Sequence, residues 1–168
     1  NFLKYNVFFK LLMEKYLFLI PVFNDWKSLN ILLGQIDSEL SIFEHEFSVV
    51  IVNDCSTNKL NIENQKLKKI NSIKIINLNK NLGSQGAIAI GLKYLSVLQE
   101  KKKIIIMDAD GEDNPLVLRK VIDLAIKFPK KIITVNRTKR NEKLIYRLLY
   151  EIHYLLTFLT TGKKVRFG

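Results

Sequence analysis

The chain repeats one rhythm: a short, almost wholly apolar run, then a longer stretch whose apolar residues recur at helical spacing. The apolar runs are Leu17–Val22, Phe47–Val52, Ile73–Leu78, Lys103–Met107 and Lys131–Val135. Between and after them come Trp26–Leu40, the weaker and more polar Lys59–Lys69, Ser84–Leu98, Pro115–Lys127 and a long stretch over about Glu142–Leu159. A strand that is apolar at nearly every position has no face left for water. Five such strands alternating with helices predict an α/β fold, a mostly parallel sheet with helices on both faces. Pro115 suits a first helical turn, where its missing N–H is no loss. A length of 168 residues gives one domain with a real core.

The polar residues gather where the strands end. The first run closes in Pro21-Val22-Phe23-Asn24-Asp25 and the second in Asn53-Asp54-Cys55-Ser56. The third leads into Asn79-Lys80-Asn81-Leu82-Gly83, the fourth into Asp108-Ala109-Asp110-Gly111-Glu112-Asp113, and the fifth into Asn136-Arg137. In open α/β sheets, ligands bind outside the carboxyl ends of the strands. One edge of this sheet is therefore expected to carry several carboxylates and amides, two glycines and an arginine.

That acidic edge sits in a chain of formal net charge +11. Asp108 and Asp110, two apart on a straight strand, would share a face, and like charges so close call for a compensating cation. Hard oxygen ligands suit Mg2+ or Mn2+, typically held by one or two carboxylates plus substrate phosphates. The plainer alternative is helix capping, which Asp113 or Asn114 ahead of Pro115 could perform. The net charge favours an anionic partner, or only a lysine-rich, soluble surface. No basic-aromatic motif points to nucleic acid. Cys55 is the single cysteine, so no intrachain disulfide forms, and with only His45 and His153 beside it the ligands for a zinc site are too few.

No 18 consecutive residues are apolar, so no transmembrane helix is expected. The greasy stretch from Phe2 to Phe23 carries Lys4, Lys10, Glu14 and Lys15 and lacks the order of a signal peptide. Met13 stands just before the first strand. Residues 1–12 are therefore expected to be an upstream or loosely packed extension, and residues 13–168 the domain proper. Val165-Arg166-Phe167-Gly168 stops as if entering another strand, so the domain is expected to be incomplete at its C-terminal end.

From about Glu14 onward these motifs resemble the family 2 glycosyltransferases of the Rossmann-like GT-A fold, in particular the branch that makes polyprenyl-phosphate sugars, such as the dolichyl-phosphate mannose synthases. Pro21-Val22-Phe23-Asn24-Asp25 stands for the family's Pro-x-Tyr/Phe-Asn-Glu, and Val52-Asn53-Asp54-Cys55-Ser56 for its Val-Asp-Asp-Gly-Ser. Asn81-Leu82-Gly83-Ser84-Gln85-Gly86-Ala87 matches Asn-x-Gly-x-x-x-Ala, Asp108-Ala109-Asp110 matches Asp-x-Asp, and the Gly-Ser-Arg after the fifth strand appears as Val135-Asn136-Arg137. Five motifs in order are far more specific than any one of them.

The resemblance implies a nucleotide-sugar donor, UDP- or GDP-linked, and a lipid-phosphate or glycan acceptor. It implies that Pro21 and Asp25 border the nucleotide, Asp54 accepts from the base, and Asn81 and Gly83 line its pocket. Asp108 would sit by ribose and metal, Asp110 would ligate the metal, and Arg137 would face phosphate. Asp113 is the candidate base, although an acceptor phosphate is already ionised and needs none. A cytoplasmic enzyme, touching the inner face of the membrane through the basic and aromatic last helix, is the implied setting; the alternative for that helix is an ordinary core-facing one.

The chain departs from the family at Asp25 for Glu, at Asn53 for Asp, at Cys55 where Gly is frequent, and at Glu112-Asp113 for Gln-His. Two rival functions stay open. Asp108-Ala109-Asp110-Gly111 mimics the nucleophile motif of haloacid-dehalogenase phosphatases, which normally follows the first strand rather than the fourth. A non-catalytic nucleotide-binding module is the other.

Overall fold

The computed structural model describes residues 14–62, 66–98, 102–135 and 152. β1 (Lys15–Val22), β2 (Glu46–Asn53), β3 (Ile70–Asn77) and β4 (Lys103–Ile106) form one sheet in the order β3-β2-β1-β4. Every pairing in it is parallel, as the continuous apolar strands predict. β1 lies inside the sheet and is the most deeply buried strand: Phe18, Leu19 and Ile20 are 0% exposed.

Alternate residues of β1 face opposite layers. Leu17 and Leu19 join Val50 and Val52 of β2 and Ala87 of α2 (Gly83–Val97) in one cluster, with Ile88 and Leu95 packed against it. Gly91 lets α2 approach closely, since a Cβ there would stand 2.5 Å from Leu19 Cδ1 and 3.0 Å from Val52 Cγ2. On the other face the rings of Tyr16 and Phe47 stack at 5.6 Å, and Phe18 meets Phe47 at 6.4 Å. α1 (Trp26–Glu39) buries Leu29, Leu32, Leu33 and Ile36, and α3 (Leu118–Lys127) buries Leu118 and Ile122. Full burial of each such side chain is worth about 1.5–3 kcal/mol. Arg119 of α3 donates to Glu39 of α1 at 2.8 Å, tying the two helices together.

Two sequence expectations fail. The stretch Lys59–Lys69 is not helical in its described residues. Its few apolar residues make no stripe, and Leu60 is 45% exposed. Its backbone finds partners on α1 instead. Asn30 Nδ2 donates to Asn61 O at 3.0 Å, and the Asp37 carboxylate accepts the N–H groups of Lys68, Lys69 and Ile70 at 2.7–3.1 Å. Lys131–Val135 is irregular rather than a fifth strand, and Ile132 is 93% exposed. An apolar run becomes a buried strand only when a neighbour pairs with it, and among the described residues none does.

By contacts the chain divides into two compact units, residues 1–123 and 124–168. In the second, the described residues form the last turn of α3 and a turn closed by Lys131 N–H on Phe128 O at 3.0 Å. Residues 1–12 and the expected last helix lie outside the described residues, Ile152 excepted. Among the described residues no helix is long and apolar enough to cross a membrane.

Candidate functional site

Because the strands run parallel, the loops after β1, β2 and β4 leave the same edge of the sheet. Together with the start of α2 they enclose a cavity of about 250 Å³. Pro21, Val22, Phe23 and Asp25 line it from β1's end, and Asp54 from β2's end. Ser84 lines it from α2, and Asp108, Ala109 and Asp110 from the segment beyond β4. Five residues singled out from the sequence, Pro21, Asp25, Asp54, Asp108 and Asp110, thus meet in one place.

Each carboxylate is held by a backbone group or a hydroxyl. Asp25 Oδ1 caps α1 by accepting from Ser28 N–H at 3.1 Å, so it has a structural task as well as a place in the wall. Asp54 is 2% exposed; its own N–H extends the β1–β2 ladder to Val22 O at 2.9 Å. Its Oδ1 accepts from Leu82 N–H at 2.7 Å, which fixes the turn leading into α2. Asp108 Oδ1 accepts from Ser84 Oγ at 3.2 Å, and Asp110 Oδ1 from Glu112 N–H at 2.9 Å. Asp108 and Asp110 share the cavity, but not through strand alternation. β4 ends at Ile106, and the pair lies on a turn whose Gly111 takes φ +79°.

The other expected residues are placed differently. Asn81 and Gly83 stand beside the cavity rather than among its lining residues. Asn81 Oδ1 accepts from Gly83 N–H at 3.0 Å, and Gly83 adopts φ +74°. Asp113 turns back and accepts from Asp108 N–H at 2.9 Å, a supporting position. Asn114 does cap the turn that opens at Pro115, through Leu116 N–H at 3.0 Å. Arg137 lies outside the described residues.

The cavity wall is acidic, with four aspartates and no basic side chain among the described residues that line it. Among the described residues no three His, Cys, Asp or Glu side chains form a group that could hold a metal ion unaided. Asp108 and Asp110 are the two wall carboxylates that do not stand at the ends of β1 and β2, and one or two carboxylates are what a protein usually offers a hard divalent ion completed by ligand oxygens.

Two features escaped the sequence reading. Ser84 occupies a variable position of its motif, and only the fold brings its hydroxyl to Asp108. Cys55 sits at φ 61°, so the tight turn that the family makes with glycine is kept here with a side chain in the left-handed region. Cys55→Gly should remove that strain and stabilise the fold by about 1 kcal/mol, less the extra chain entropy of glycine. A urea midpoint that falls instead of rising would refute this.

The family model described as glycosyl transferase family 2 matches residues 18–167. The chain is 30% identical over 125 residues to a dolichol-phosphate mannosyltransferase of Pyrococcus furiosus, covering 74% of this chain and 34% of that protein. It is 23% identical over 147 residues to an uncharacterized glycosyltransferase of Synechocystis sp., covering 87% of this chain and 45% of that one. The chain thus spans less than half the length of each of these relatives. Among solved structures, S. aureus TarS in complex with UDP superposes with a TM-score of 0.48 at 21% identity, over 79% of this chain and 44% of that one. With the family model running through both the β1 and the Asp108–Asp110 segments that build the cavity, the chain belongs to glycosyl transferase family 2.

Proposed function

We propose that this chain is the donor-binding part of a glycosyltransferase that moves a sugar from a UDP- or GDP-linked donor to an acceptor. The observation that carries the reading is the convergence of Asp25, Asp54, Asp108 and Asp110 on one cavity at the carboxyl edge of the sheet. Asp108 and Asp110, on an acidic wall without a lining base, suit a cation, and a cation recruits a diphosphate.

In this reading Pro21 and Asp25 border the nucleotide, and Asp54 accepts a hydrogen bond from the base. Asn81 and Gly83 shape the turn that presents α2: Asn81 takes the Gly83 N–H, the N-cap residue Leu82 offers no side-chain cap, and the positive end of the helix favours an anion. Asp108 and Asp110 hold Mg2+ or Mn2+, which when bound neutralises charge on the departing nucleoside diphosphate. Ser84 orients Asp108 from one side, and Asp113 fixes its backbone from the other. Arg137 is assigned to phosphate, of donor or acceptor. The similarity to a dolichol-phosphate mannosyltransferase favours a polyprenyl phosphate as acceptor over a cell-envelope glycan. Such an acceptor would put the enzyme at the cytoplasmic face of a membrane.

Titration of UDP- and GDP-sugars with Mn2+ tests the donor and metal assignments together. Wild type should bind one of them only with metal present, and Asp110→Ala should bind it about tenfold more weakly, a loss of about 1.4 kcal/mol. Equal, metal-independent binding by both proteins would sink the metal assignment.

A further inference from the structure

Asn24 lies between two cavity-lining residues, Phe23 and Asp25, yet its own side chain is spent elsewhere. Its Oδ1 accepts from Thr57 N–H at 2.8 Å, Thr57 Oγ1 at 3.2 Å and Asn58 N–H at 3.1 Å. Its N–H donates to Ser56 Oγ at 2.9 Å. Three consecutive residues of the loop after β2 are therefore fastened to one residue of the loop after β1. The loop is braced from two more sides. Asn53 Oδ1 accepts from Ser56 N–H at 3.0 Å, and Trp26 Nε1 donates to Asn58 O at 3.4 Å. Asn24 holds φ 57°, a region that asparagine tolerates better than most side chains. The residue thus supplies both the backbone bend and the acceptor.

We infer that Asn24 is a positioning residue for donor binding: it latches the loop after β2 to the loop after β1 and so fixes Asp54 relative to Asp25 in the cavity wall. The inference rests on the donor-binding reading above. The latch acts on geometry, because Asp54 and Asp25 stand on the two loops that it joins.

Two variants separate the latch from the bend. Asn24→Gly keeps the left-handed backbone and removes the acceptor; Asn24→Asp keeps an oxygen in the acceptor's place. Calorimetric titration of the whole chain with UDP and GDP in Mn2+ should show Asn24→Gly weakened about tenfold and Asn24→Asp within about twofold of wild type. Trp26, the single tryptophan, reads the latch independently of ligand. Acrylamide should quench it more readily in Asn24→Gly, and amide exchange at Thr57, Asn58 and Leu82 should quicken. Unchanged nucleotide affinity in Asn24→Gly, even with lowered stability, overturns the inference, as does equal weakening in both variants. If wild type binds neither nucleotide, the donor reading fails by itself. The exchange rates then decide the latch: faster at all three amides upholds it, and unchanged rates overturn it.

Discussion

Replacing Gly91 by valine should lower the unfolding free energy by about 3 kcal/mol, the upper end of what overpacking a core costs. The first added carbon would already lie 2.5 Å from Leu19 Cδ1 and 3.1 Å from Leu19 Cδ2. Leu19 is 0% exposed on the central strand, so its side chain has nowhere to retreat. Val52 Cγ2, 3.0 Å away, closes the other side. The helix must then lift off the sheet. Gly91→Ala is the graded control. It meets the same first contact but gains about 1 kcal/mol of helix propensity, so its net loss should be about 1–2 kcal/mol. Urea unfolding followed by Trp26 fluorescence gives both values. An alanine variant as stable as wild type would mean that α2 does not lie as close as described. Because α2 also carries Ser84 into the cavity, the proposed donor site should in the valine variant lose nucleotide affinity beyond its loss of stability.

Asp37→Ala should cost about 2 kcal/mol at neutral pH, within the range for hydrogen bonds to a charged acceptor and discounted for partial exposure. One carboxylate gathers the N–H groups of Lys68, Lys69 and Ile70, the last residues before and the first within β3. Burial opposes its ionisation, but these N–H groups, helped by the Lys68 charge, hold its pKa below the usual carboxylate value. The sign follows from that direction. In the unfolded chain the carboxyl binds its proton near pH 3.9, and in the folded chain only at lower pH. Its stabilisation is therefore complete above about pH 4 and fades as pH falls through the folded value. The gap between wild type and Asp37→Ala should stay constant from pH 8 to about pH 5 and narrow on further acidification. A gap that widens in acid would contradict the assignment. Asp37→Asn should recover part of the loss, since an amide oxygen can still accept.

Strand positions were legible because a strand buried on both faces advertises itself in every residue. Leu17–Val22 and Phe47–Val52 fall inside β1 and β2 for that reason. The cavity was legible through Asp54 and Asp108–Asp110, since carboxylates past several parallel strands gather on one edge of the sheet whatever else each of them does. What could not be read depends on partners far along the chain. Asn24 looks like any turn residue until Thr57 and Asn58 arrive beside it. Asp37 looks like a solvated helix residue, yet it replaces with one carboxylate the helix expected over Lys59–Lys69. Lys131–Val135 has the composition of a strand, and composition alone carries no information about whether a neighbour is present to pair. Cys55 misled in the opposite way. Glycine is frequent at this position in the family, yet here a cysteine takes the left-handed region at φ 61°.

The placement of β1 between β2 and β4 sets when the cavity comes into being. Tyr16 pairs with Phe47 on one side and with Lys103 on the other, so the last side of the site is supplied by a segment that must cross most of the described chain to arrive. Closing so long a loop is entropically costly and is repaid only once the strand docks. A chain caught with β1, β2 and β3 assembled but β4 astray would own Asp25 and Asp54 and lack Asp108 and Asp110. If the cavity is the donor site proposed above, donor affinity should appear late and all at once during refolding. A bound nucleotide should in turn protect the whole sheet against unfolding, by an amount set by its concentration relative to Kd.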